Sequence, residues 1–156
     1  KQYSILYRRI KYQGISIVSG KKLVTVSGGF DPIHVGHVRM ILEAGKLGDV
    51  IIIANSDEWL MRKKGYTFMS YEERQEILYA IKGVVDVVKA SDKDNTVCKT
   101  LEKINPDIFA NGGDRKEGNV PEYELCEKLN IKMMFGVGGR DKPQSSSWLV
   151  NKMRSH

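Results

Sequence analysis

His34 and His37 stand three positions apart in Ser27-Gly28-Gly29-Phe30-Asp31-Pro32-Ile33-His34-Val35-Gly36-His37, with Gly36 between them. Imidazoles donate hydrogen bonds to phosphate oxygens and change charge near neutrality. Neighbouring glycines let the backbone come close to a ligand. A helix opening near Val35 would add unpaired N–H groups and a positive dipole end at the same spot. The combination points to an anion, and to chemistry on phosphate. Zinc is the competing use of a histidine pair, but the third histidine is His156 and neither Cys98 nor Cys126 is close in sequence. Nothing here resembles an activated Ser or Cys triad.

The elements that must position these residues follow from periodicity. Short, mostly apolar runs at Leu23 to Ser27, Val50 to Ala54, Val84 to Lys89, Asp107 to Ala110 and Ile131 to Phe135 suit strands buried on both faces. Between or after them, Val35 to Leu47, Tyr71 to Ile81, Thr96 to Ile104, Pro121 to Leu129 and Ser147 to Met153 have helical spacing, with Gly48 expected to end the first helix. This alternation predicts one α/β domain, a Rossmann-like, doubly wound parallel sheet of five strands. Ligands gather at the carboxyl ends of such strands. The loops at 28–36, 55–70, 90–95, 111–120 and 136–146 hold most of the Gly and Asp, together with His34, Arg62, Arg115 and Arg140.

The sequence from about Lys22 onward resembles the HxGH nucleotidyltransferases, which have a cytidylyltransferase-like fold. The resemblance starts at Gly28-Gly29-Phe30-Asp31-Pro32-Ile33-His34-Val35-Gly36-His37. It implies that His34 and His37 contact the nucleotide's phosphates and stabilise the transition state, with positive charge matched to the α-phosphate. Three further segments match in order. Lys46, in Ala44-Gly45-Lys46-Leu47-Gly48-Asp49, is similar to a helix-end lysine that binds phosphate. Ser70-Tyr71-Glu72-Glu73-Arg74 looks like the stretch whose arginine faces the phosphorylated acceptor, although alone it reads as a capping box. Arg140, followed by Ser145-Ser146-Ser147, is similar to an arginine ahead of a hydroxyl-rich helix start. The resemblance therefore implies catalytic roles for His34, His37, Lys46 and Arg140 and acceptor contacts for Arg74 and Lys46. Nucleotide contacts fall on Gly28, Gly29, Phe30, Asp31, His34, His37, Gly113, Asp114, Ser145, Ser146 and Ser147.

Within that family, Ser70 to Arg74 and Arg140 look like glycerol-3-phosphate cytidylyltransferases, whereas Asn111-Gly112-Gly113-Asp114 looks like heptose-1-phosphate adenylyltransferases. The expected reaction is transfer of a nucleoside monophosphate, CMP from CTP ahead of AMP from ATP, to a polyol, sugar or similar phosphate with release of pyrophosphate. A non-catalytic nucleotide- or nucleic-acid-binding module is the alternative of another class. Mg2+ is expected with the triphosphate, without an assigned protein ligand.

The chain has 156 residues, 41% hydrophobic and 28% charged, as one globular domain requires. Its formal net charge of +6 comes from Lys1, Arg8, Arg9, Lys11, Lys21 and Lys22, since the segment through Lys22 holds no acid. A neutral main body argues against a nucleic-acid surface. Residues 1–21 read as a basic extension of unknown role, a hairpin, an oligomer arm or the end of another domain, and residues 22–156 as the nucleotidyltransferase domain. No apolar run reaches the roughly 18 residues of a membrane helix, and the two cysteines lack a CxxC. A cytoplasmic protein with a possible homodimeric state is the expectation.

Overall fold

Five apolar, β-branched runs form one parallel sheet in the computed structural model, which describes residues 8–12, 15–112, 121–139 and 145–155. In chain order the elements are β1 Arg8–Tyr12, β2 Ile15–Ser19, β3 Leu23–Gly28, α1 Val35–Gly45, β4 Asp49–Ala54, α2 Asp57–Lys64 and α3 Tyr71–Tyr79. They continue with β5 Val84–Lys89, α4 Cys98–Ile104, β6 Ile108–Gly112, α5 Tyr123–Leu129, β7 Lys132–Val137 and α6 Ser146–Arg154. The sheet order is β5-β4-β3-β6-β7, with every neighbouring pair parallel. Winding reverses between β3 and β6, the crevice where doubly wound sheets hold ligands.

Both faces of the sheet are covered, which is why its strands lack polar alternation. Val50, Ile52 and Ala54 of β4 pack with Ile41 and Ala44 of α1 and with Tyr71 and Leu78 of α3. Ile51 and Ile53 pack on the opposite side with Leu101 and Ile104 of α4 and Cys126 of α5. At the β5 edge, Gln75 Nε2 and Tyr79 Oη of α3 donate to the carbonyls of Val87 and Val85 at 3.1 and 2.9 Å.

Two details differ from the expected elements, the end of the first helix and an additional helix. Helix α1 stops at Gly45 with Lys46 as its C-cap. Gly48 serves the turn after it, where a Cβ would collide with the Lys22 carbonyl that accepts the Asp49 N–H at 2.9 Å. Helix α2 lies inside the segment read as the 55–70 loop. Part of the N-terminal extension, β1 and β2, is an antiparallel hairpin outside the main sheet, with β1 running beside α4. No helix among the described residues is long and apolar enough to cross a membrane.

Candidate active site

The chain leaves β3 through Gly28 and Gly29, and Phe30 then takes a left-handed backbone at φ 52°. Its ring is buried. A Cβ on Gly28 would come within 3.3 Å of that ring, and one on Gly29 within 3.0 Å of Leu60 Cδ2 in α2. The two glycines thus let the loop settle between Phe30 and α2, and Phe30 is part of the loop's packing.

His34 is the N-cap of α1, in an extended conformation. Its Nδ1 accepts the Gly36 N–H at 3.0 Å, while His37 Nδ1 accepts the His34 N–H at 3.2 Å. This is a reciprocal capping box, with histidines in the places more often held by Ser or Thr and Glu or Gln. The imidazoles stack with centroids 3.7 Å apart and planes inclined by 22°, and Phe30 meets His37 edge-on at 4.9 Å. Because both Nδ1 atoms accept, the hydrogen-bond pattern assigns the proton of each neutral ring to Nε2. The helix opening therefore fixes the tautomer of both rings.

Burial, then His34, then Lys64 push His37 down to about 3. At neutral pH His37 is an uncharged N–H donor, which replaces the positive charge expected from the sequence. Lys64, the last residue of α2, supplies a cation beside it and was not singled out in the sequence reading. Its signal was the Arg62-Lys63-Lys64 run ahead of Gly65.

Arg74, expected to face the acceptor, is fully buried. Its Nη1 donates to the carbonyls of Gly29 and Asn55, both at 2.8 Å, and its Nε to that of Met69 at 3.1 Å. Its Nη2 pairs with Asp57 Oδ1 at 2.7 Å. An acceptor phosphate could be reached only by breaking this set, so Arg74 holds the loop after β3, the end of β4 and the loop before α3 in one arrangement. Asp31 works from the other side. It is fully buried, and its two carboxylate oxygens accept the Phe68 and Met69 N–H groups at 2.6 Å each. Both oxygens are taken up by the chain's own backbone ahead of α3.

Lys46 sits at the opposite end of α1 from the histidines, roughly 16 Å away for eleven residues at 1.5 Å each. It is exposed and paired with Glu43 at 3.1 Å. The structure does not bring it to the pair. The serines do come close: Ser146 Oγ donates to the Pro32 carbonyl at 2.7 Å, and Ser145 caps α6 by accepting the Trp148 N–H at 3.4 Å. Ser147 is exposed in the first turn. Two helix openings, those of α1 and α6, thus meet around Pro32, both suited to an anion. Gly113, Asp114 and Arg140 lie outside the described residues.

Among the described residues, no three His, Cys, Asp or Glu side chains are grouped to hold a metal ion. The one carboxylate of the histidine loop, Asp31, is saturated by backbone N–H groups.

A family model described as cytidylyltransferase-like matches residues 25–138, most of the chain. The chain belongs to the cytidylyltransferase-like family. An FAD synthase from Ferroglobus placidus is 37% identical over 111 residues, covering 71% of this chain and 72% of that protein. The bifunctional protein HldE of Citrifermentans bemidjiense is 35% identical over 141 residues, covering 87% of this chain. The chain spans only 28% of that relative's length. Among solved structures, the lipopolysaccharide core biosynthesis protein of Thermoplasma volcanium shares the fold, with a TM-score of 0.62 at 24% identity over 77% of this chain and 98% of that one.

Proposed function

We propose that the chain joins a small phosphorylated acceptor to the α-phosphorus of a nucleoside triphosphate, at the crevice between the α1 and α6 openings. One acceptor phosphate oxygen forms a bond to the α-phosphorus as the bond to the β-phosphate's bridging oxygen breaks, and pyrophosphate leaves. With a second pKa near 6, the acceptor phosphate is a nucleophile at neutral pH without a protein base. Alignment and preorganised donors then carry the reaction. The observation that supports this most directly is the histidine capping box, which fixes both imidazoles as Nε2–H tautomers where a helix opening already favours an anion. Magnesium would neutralise charge on the triphosphate. The described carboxylates offer it no protein cage.

For the nucleotide, the balance moves from CTP to ATP. Arg74 was half of the case for CTP, and its hydrogen bonds go to the protein's own backbone. FAD is an adenylyl ester of a flavin phosphate, so the relative of which this chain spans 72% makes an adenylylated product. The heptose-type reading of Asn111 to Asp114 points the same way. The acceptor is then a flavin, sugar or polyol monophosphate. The deciding experiment supplies ATP, CTP, GTP and UTP in turn against FMN, heptose 1-phosphate and glycerol 3-phosphate and follows pyrophosphate. Turnover with CTP alone would restore the cytidylyl reading. No pyrophosphate with any pair, despite nucleotide binding, would favour a non-catalytic module.

A further inference from the structure

The carboxyl ends of β4 and β5 border a cavity of about 780 Å³ that the proposed reaction does not use. Arg62, Lys89, Lys93 and Lys99 line it, against Glu58 and Asp92. That is four cations to two acids, and the acids do not cancel evenly. The Asp92 carboxylate is buried and already accepts from Asn55 Nδ2 at 3.1 Å, Ser56 N–H at 2.8 Å and Ser56 Oγ at 2.7 Å. Its oxygens are bonded to the start of α2. Arg62 is preordered, with Nη2 donating to the Asp92 carbonyl at 2.9 Å and to Asn95 Oδ1 at 3.2 Å. Among the described residues its Nη1 and Nε make no hydrogen bond. Lys89 is held over the Tyr71 ring at 4.7 Å. Cations gathered around one concavity repel each other, and an anion relieves that repulsion. The volume is that of a small-molecule site.

The faces of α2 separate this basin from the histidines. Glu58 and Arg62, four residues apart, share one face and line the basin. Leu60 and Lys64 share the other, where Leu60 lies against Gly29 and Lys64 acts on His37. We propose that the basin is a second oxyanion site, for a small molecule bearing phosphate or carboxylate, on the far side of α2 from the catalytic pair. Ser91 at its rim adds a hydroxyl for the body of such a ligand. The ligand is either the distal anionic group of an acceptor that carries two, or an independent effector. The inference stands on the basin alone and survives if the nucleotidyl-transfer reading fails.

The test is a backbone-amide NMR titration of the full chain with inorganic phosphate, which needs no turnover. The Ser91, Asp92 and Lys93 amides are expected to shift saturably. Lys93→Glu with Lys99→Glu should weaken that response about tenfold, each exposed charge contributing modestly, while leaving the Gly36 amide response as in the wild type. Arg62→Gln, which touches neither lysine, should weaken it independently. Unmoved Ser91 to Lys93 amides at tens of millimolar phosphate, or an affinity indifferent to these substitutions, would overturn the proposal. Fructose 1,6-bisphosphate then distinguishes the sources. Joint saturation of the Gly36 and Lys93 amides at one equivalent marks a bridging acceptor, and separate curves mark an effector.

Discussion

Burial of His37 between His34 and Phe30, with Lys64 nearby, couples a proton equilibrium to folding. Its ordinary value of 6.5 falls to about 3 in the folded chain. Between those values the unfolded chain holds a proton that the native one does not, so stability rises with pH across this window and its contribution is complete above 6.5. The slope from one such group approaches about 1.4 kcal/mol per pH unit. Urea unfolding at pH 7 and pH 5 should show this loss, and His37→Gln should flatten it. An unchanged slope in the variant would assign the acid sensitivity elsewhere. Bound pyrophosphate should shrink the loss, because an anion beside the ring favours its protonation. On the proposed reaction, alanine at His34 or His37 would remove a donor from the reacting phosphate and should lower kcat about 100- to 1,000-fold, with smaller changes in KM. Near-normal single-turnover rates in both variants would remove the pair from the chemistry.

Helices explain both what the sequence revealed and what it concealed. Runs such as Val50 to Ala54 could be read directly as strands because burial on both faces leaves them apolar throughout, and the histidine motif is local enough to be read whole. Helix α2 escaped because it buries only Leu60 and so has no apolar period. Its ends were nevertheless marked by the Ser56 cap, Asp57 and Glu58 in the first turn, Arg62 to Lys64 in the last and left-handed Gly65 at φ 79°. Lys46 closes α1 at the end away from the histidines that open it, a separation that a motif match along the chain does not weigh. Arg74 was misread because the carbonyls it gathers, from Gly29, Asn55 and Met69, are brought together only by tertiary folding. The expected consequence is that Arg74→Ala destabilises the protein by about 3 kcal/mol, the lower range for breaking a buried pair, since Asp57 is 37% exposed. Arg74→Lys should also destabilise, because an ammonium cannot span the same fork of acceptors. Denaturation midpoints and KM values measured together will show this. A selective rise in the acceptor's KM at unchanged stability would return Arg74 to the acceptor.

For the whole molecule, the β1–β2 hairpin stands outside the five-stranded sheet whose β3 leads into the histidine loop. A chain starting at Lys21, which keeps the Lys22 carbonyl for Asp49, should release pyrophosphate at the full rate per folded molecule. Removing the hairpin uncovers the side of α4 it runs along, so mass in solution should be followed as well. Folded but inactive protein would place the hairpin in the site. The clasp formed by Arg74 and Asp31 has a further consequence, in how the native protein breathes. Asn55 N–H binds the Gly28 carbonyl, and the Phe68 and Met69 N–H groups bind Asp31, so none of these amides can meet solvent unless the same clasp opens. Their hydrogen exchange should therefore report one shared opening free energy, below that of central strand amides such as Ile52. In Arg74→Lys the three should accelerate together, by one common factor. The segments around the catalytic loop would then form a single cooperative unit, ordered or open as a whole.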